Sequence, residues 1–151
     1  MSYTAQSGRE QILEDVAGAA EELGSALASL GEAYEHLDER AAERMEDDLF
    51  RPLQGAFGQL KRTHEEFARR YELEGRDFPP APVPLPGDPR RLFERAAESI
   101  QAADETLAAL QDSLLPVEVG DEALRAGLSR ARMLISPLPQ ASVRLVRTLG
   151  R

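Results

Sequence analysis

Between Val16 and Leu37 the chain reads VAGAAEELGSALASLGEAYEHL, and its apolar residues recur as Val16, Ala19, Leu23, Ala26, Leu30, Ala33 and Leu37. Alternating steps of three and four residues gather these side chains into one seam along a helix. Alanine alternates with larger residues along the seam, which lets a neighbouring helix come close. Ser7 followed by Glu10 has the form of a capping box and predicts a helix start near residue 8. Gly18, Gly24 and Gly31 weaken the helix intrinsically, so packing has to hold it. The first predicted helix covers about 8–37.

The same spacing resumes as Met45, Leu49, Leu53, Phe57, Leu60, His64, Phe67 and Tyr71, predicting a second helix over about 40–74. The charged junction from His36 to Arg40 either bends the chain or carries one long helix through. Pro52 lacks a backbone donor and clashes with the preceding turn, which predicts a kink or break near Asp48 to Arg51. Residues 76–89 read RDFPPAPVPLPGDP. Prolines at this density exclude helix and favour an extended polyproline path. Asp88 and Pro89 then supply an N-cap and a first-turn proline.

A third seam, Phe93, Ala96, Ile100, Ala103, Leu107, Leu110 and Leu114, predicts a helix over about 89–115, stopped by Pro116. Asp121 caps a fourth over about 121–136, with Leu124, Leu128, Ala131 and Ile135 on its apolar face, before Pro137 and Pro139 interrupt it. A short basic segment over 140–150 sets Val143, Val146 and Leu149 against Arg144, Arg147 and Arg151. Amphipathic helices of this kind cannot bury their seams alone. The predicted fold is all-α: one domain over 1–151, an elongated antiparallel four-helix bundle with a kinked second helix and a Pro-rich linker over 76–89 between helices two and three.

Composition agrees with a globular chain: 42% of the 151 residues are apolar and 30% charged. The absence of cysteine removes disulfides, thiolate metal sites and thiol nucleophiles, and fits a reducing cytoplasm. Met1 to Arg9 are polar and no apolar run approaches the roughly 18 residues of a membrane span. The expected location is therefore cytoplasmic, with the membrane periphery as the second possibility. The net charge of −9 is unevenly spread: residues 1–50 hold 13 acids and 3 arginines, whereas residues 123–151 hold 6 arginines and no acid. An acidic surface repels phosphate backbones, so no nucleic-acid partner is expected. The basic tail suits an acidic partner, anionic lipid, or the chain's own acidic first helix.

The stretch from Leu27 to Phe78, about a third of the chain, resembles the middle of a BAR or F-BAR domain. The resemblance rests on Leu30-Gly31-Glu32, Leu37-Asp38, Phe50-Arg51-Pro52-Leu53, Leu60-Lys61-Arg62 and Arg69-Arg70-Tyr71. BAR-type domains are antiparallel helical dimers, usually crescent-shaped, that bind and bend membranes through a basic surface. The resemblance implies that Lys61, Arg62, Arg69 and Arg70 face lipid. This chain departs from that pattern in its shorter helices, its net acidic surface and the Pro-rich segment that interrupts the arm.

Residue patterns that would carry catalysis or a cofactor do not assemble. A ferritin-like di-metal site needs Glu-x-x-His on two helices, and neither His36 nor His64 has a glutamate three residues before it. His64, on the second seam, reads as a core or interface histidine with a hydrogen-bond partner. Asp47-Asp48 and Glu65-Glu66 read as solvated helix faces, and Gly55 and Gly58 as sites of close packing. No enzyme activity, cofactor or metal is expected.

The chain therefore reads as a non-catalytic scaffold or adaptor that self-associates as a homodimer and binds a further protein. Narrow seams at heptad spacing suit coiled-coil-like pairing, with Leu23, Leu30, Leu37, Leu53, Phe57, Leu60 and Phe67 as the assembly core. The first alternative is a peripheral membrane protein of BAR type, using Lys61, Arg62, Arg69 and Arg70 with Arg144, Arg147 and Arg151 on an anionic membrane surface. The second is an SH3-type ligand through Arg76, Pro79 and Pro82, which fit a basic-x-x-Pro-x-x-Pro pattern; Pro86-Gly-Asp-Pro89-Arg-Arg91 fits the reversed orientation. A rigid linker accounts for the same prolines.

Overall fold

In the structure, a computed structural model in which residues 2–149 are described, the first seam lies on α1 (Ser2–Tyr34). Val16, Ala19, Leu23, Ala26, Leu30 and Ala33 are all buried. The helix starts earlier than the Ser7–Glu10 capping box predicts, so that pair lies inside it and caps nothing. It also stops before Leu37, which falls in the turn after Tyr34 and is only partly buried.

One helix does not run through the charged junction. Asp38 caps α2 (Glu39–Met45) by accepting from the Ala41 amide at 2.8 Å. A π-helical turn (Glu46–Phe50) leads directly into α3 (Arg51–Arg70). Here the Arg51 amide bonds to the Glu46 carbonyl, five residues back, one position before Pro52. A widened turn is one way for a helix to accept a residue that cannot donate. The predicted 40–74 helix is thus three helical segments ending at Arg70.

The end of α3 is closed by a Schellman arrangement. Leu73 N–H bonds to Ala68 C=O at 2.8 Å and Glu72 N–H to Arg69 C=O at 3.3 Å. Glu72 takes the left-handed position at φ 54°. The chain is then extended until Asp88 caps α4 (Pro89–Asp112). This helix stops short of the predicted 115. Leu114 adopts φ 70°, and its side chain, expected on the third seam, is exposed. A single turn, α5 (Leu115–Glu118), follows, then α6 (Glu122–Ile135) capped by Asp121, and α7 (Leu138–Leu149).

The described residues contain helices and no strands. Helix α1 packs along α4 and α3, α3 packs along α6, and α7 lies on α4. Side chains from all of these helices share one core, in which Phe67 and Phe93 are the largest fully buried groups. Two ends can be recognised from specific contacts. At one, the start of α1 meets the end of α3, α5 and the start of α6: Arg9 donates to Val119 C=O at 2.9 Å and stacks on Tyr71. At the other, His36 and Leu37 meet Asp88, Pro89 and Leu149 around one shallow hollow. The segment joining α3 to α4 must therefore travel from the first end to the second. At about 3 Å per residue an extended path can do so.

The basic C-terminal segment does not seat on the acidic first helix. Its helix α7 packs chiefly on α4, with Ser142 Oγ donating to Phe93 C=O at 3.3 Å, and Arg132 on α6 binds Asp104 of α4 at 2.8 Å. The close helix approach falls at Gly127 rather than at Gly55 or Gly58. A Cβ on Gly127 would overlap the Thr63 side chain, whereas at Gly55 and Gly58 the nearest atoms are 3.6 Å and 3.3 Å away.

Candidate functional site

The extended segment from Glu72 to Asp88, here called the strap, organises the surface of the molecule. Leu73 and Phe78 tuck partly against the core. Arg76 donates from Nη2 to Glu21 Oε2 of α1 at 2.7 Å, and the Phe78 ring meets His64 of α3 edge-on at 5.3 Å between centroids. Those two contacts tack the strap across α1 and α3. Further on, Pro82, Val83 and Pro84 pass over Ser25 and Ser29 of α1 and Arg95 and Ser99 of α4.

The first residues of the strap form a rib between two open grooves, because Leu73, Gly75 and Arg76 line both. One groove, of about 840 Å³, runs along α3 and carries Lys61, Arg62, Arg69 and Arg76 against Glu65 and Asp77, with Leu73 and Phe78 as apolar floor. Arg69 is tied to Glu65 at 2.9 Å. Lys61 holds its Nζ 4.6 Å from the Phe57 ring centroid, and Arg62 is exposed; neither forms an ion pair among the described residues. The other groove, of about 610 Å³, is lined by Glu10 and Glu14 of α1, Glu72 and Glu74 of the strap, and His64. Two faces of opposite charge thus meet along one rib of the chain.

His64 is only 3% exposed, and its Nδ1 has no hydrogen-bond partner, contrary to the expected satisfied core histidine. Burial lowers its pKa from 6.5, Arg76 adds to that, and Glu14 opposes it. The ring is thereby kept neutral at physiological pH. His36, in contrast, is exposed and sits 3.3 Å from Glu32. Among the described residues no three or more His, Cys, Asp or Glu side chains are grouped to hold a metal ion, and no helix is long and apolar enough to cross a membrane.

The residues singled out by the sequence separate in space. Leu23, Leu30, Leu53, Leu60 and Phe67 are within 1% of complete burial in the single chain, while Leu37 and Phe57 are partly covered. The chain's own helices fill these seams. Of the four cations matched to the BAR pattern, Lys61, Arg62 and Arg69 line the basic groove, but Arg70 does not. It pairs with Asp121 at 2.7 Å. Arg144 and Arg147 are exposed on α7, away from the groove, and Arg151 lies outside the described residues. Pro79 and Pro82 are exposed, but Arg76, the basic member of their pattern, is held by Glu21.

Sequence reasoning missed the rib and its two grooves. A signal was present: in a path with three residues per turn, Phe78, Ala81 and Pro84 share one edge, and between Glu74 and Gly87 these are the positions that are half-buried. Comparison of this chain with family models, curated proteins and solved structures returned no match.

Proposed function

We propose that this protein is a non-catalytic helical adaptor that holds an acidic segment of a partner protein in the groove along α3. The supporting observation is the placement of Lys61 and Arg62, two cations with no acidic partner among the described residues, beside Arg69 and Arg76 in one open groove. The chain as a whole carries −9. Anions are therefore repelled over most of the surface and drawn to this patch, which favours orientation and association rate more than raw affinity. Leu73 and Phe78 add an apolar floor that a peptide side chain can cover. In this reading α1, α3, α4 and the α6–α7 pair act as the four rods of a bundle whose task is to hold the groove and strap in register.

Self-association through the seams would have to use Leu37 and Phe57, since Leu23, Leu30, Leu53, Leu60 and Phe67 are buried inside one chain. Light scattering at micromolar concentration reads whether a second copy binds. A BAR-type role would draw on Lys61, Arg62 and Arg69 together with Arg144 and Arg147. These lie on α3 and α7, whose main packing partners differ: α6 and α1 for α3, and α4 for α7.

The test is fluorescence anisotropy of a labelled glutamate-rich peptide at low salt, against the wild type and Lys61→Glu with Arg62→Glu. Saturable binding that the reversal abolishes and salt weakens supports the reading. Unchanged or absent binding overturns it. Sedimentation with phosphatidylserine vesicles is the second arm: pelleting lost on the same reversal would move the reading to a membrane surface.

A further inference from the structure

Between Glu74 and Gly87 no backbone amide or carbonyl pairs with another backbone group among the described residues. A polyproline helix has this property: its backbone is solvated and its side chains form three edges. Burial follows that period. Phe78, Ala81 and Pro84 are half-buried, whereas Pro79, Pro80, Pro82, Val83, Leu85 and Pro86 are all exposed. The strap therefore lies with one edge down on the helices and two edges outward. Val83 and Leu85, at 74% and 84% exposure, are among the most exposed large apolar side chains of the molecule, and each lies on a different outward edge.

A preformed polyproline helix with two free edges is what domains with aromatic-lined slots read, because little conformational entropy is lost on docking. Direction is set by charge. At the N-terminal end Arg76 is occupied by Glu21, so it is not free to enter an acidic pocket. At the C-terminal end Arg90 and Arg91 are exposed on the first turn of α4 and form no ion pair among the described residues. We propose that residues 79–91 form a built-in ligand for a polyproline-reading domain of SH3 type, with Val83 and Leu85 between its aromatic slots and its acidic pocket on Arg90 and Arg91. The strap reaches that role already ordered, because α3 and α4 fix both of its ends. This surface lies beyond the basic groove, so each can fail without the other.

The test is a titration of the intact, isotope-labelled chain with a set of purified SH3 domains that carry an acidic pocket, followed by amide chemical shifts. Shifts confined to residues 79–91 are expected. Val83→Asp with Leu85→Asp, and separately Arg90→Glu with Arg91→Glu, should each weaken binding by about tenfold or more. Both pairs are exposed, so the melting temperature should stay unchanged and the basic groove should still take its peptide. The inference is overturned by an absence of shifts with every domain at millimolar concentration, by shifts that map elsewhere, or by either double variant binding like the wild type. A pocket-less SH3 domain that binds equally well would overturn the assigned direction.

Discussion

Arg70 and Asp121 meet across 51 residues of sequence through two hydrogen bonds, Nε to Oδ2 at 2.7 Å and Nη2 to Oδ1 at 3.0 Å. The same carboxylate accepts from the Leu124 amide at 2.8 Å, capping α6, and from the Tyr71 hydroxyl at 3.0 Å. Arg9 of α1 covers the Tyr71 ring at 4.1 Å. One carboxylate thus ties the end of α3 to the start of α6, and through Tyr71 to α1. Burial alone would push its pKa up, but Arg70, the Leu124 amide and Tyr71 outweigh that and hold it below 3.8.

Two substitutions separate these roles. Asp121→Asn keeps a good N-cap and loses the ion pair, with an expected cost of about 1 kcal/mol. Asp121→Ala loses both, about 1–3 kcal/mol. Because the folded pKa is lowered, the aspartate's contribution is present above pH 3.8 and is lost as pH falls through the lower folded value. Urea unfolding at pH 7 and pH 3 should therefore show a wild-type advantage over the asparagine variant that is smaller in acid.

Gly127 is where α6 meets α3, and there the missing side chain matters. A Cβ would overlap Thr63, which is itself buried and accepts from Gln59 at 3.0 Å. Gly127→Ala gains helix propensity yet should still destabilise by about 1–3 kcal/mol, because the two helices must move apart. Pairing it with Thr63→Ala should recover part of the loss. A single variant as stable as wild type would show that the contact yields without cost.

Glu72 holds a left-handed conformation at φ 54° in the position where helices most often place glycine. A non-glycine residue is strained there by about 1–2 kcal/mol, partly offset by the greater freedom glycine has when unfolded. Glu72→Gly is expected to stabilise by up to about 1 kcal/mol, read as a higher midpoint in urea with an unchanged slope. Glu72→Ala keeps the strain and should not.

These positions mark how far the sequence could be read. The seams were legible because helical spacing is a property of consecutive residues: Val16 to Ala33 and Phe93 to Leu110 are buried as their periodicity implies. The caps at Asp88 and Asp121 were legible for the same reason, since a cap acts on its own first turn. What failed depends on which faces meet in space. The seams of one chain satisfy one another, and heptad spacing alone does not distinguish packing within a chain from pairing with a second copy. Arg70 looked like its neighbours Arg62 and Arg69, yet it alone faces Asp121. Leu114 continued a perfect spacing beyond the point where the helix had ended. The prolines mark the strap as extended, but which of its edges lies down is set by the helices beneath it, α3 at Phe78 and α1 with α4 at Pro82 to Pro84.

His64 offers a pH-dependent reading of how firmly the strap is held. Its ring lies on α3 beneath Phe78 and near Arg76 of the strap, facing Glu14 of α1, with Glu10, Glu72 and Glu74 around the adjoining groove. Burial and Arg76 favour the neutral ring more than Glu14 favours the charged one, so the folded pKa lies below 6.5. Above pH 6.5 the histidine is neutral in both states and contributes no pH dependence. As pH falls below that value the unfolded chain takes up a proton that the folded chain resists, so stability declines until the lowered folded pKa is passed. Replacing the ring by leucine removes both the proton and the unpartnered Nδ1. His64→Leu should match or slightly exceed wild-type stability at pH 7.5 and exceed it further at pH 5. The Phe78 ring resonances should shift in the wild type over the same interval and stay in place in the variant. Parallel decline of the two proteins between pH 7.5 and pH 5 would assign the acid sensitivity to the carboxylates instead, and leave Phe78 packed on a ring whose charge does not govern it.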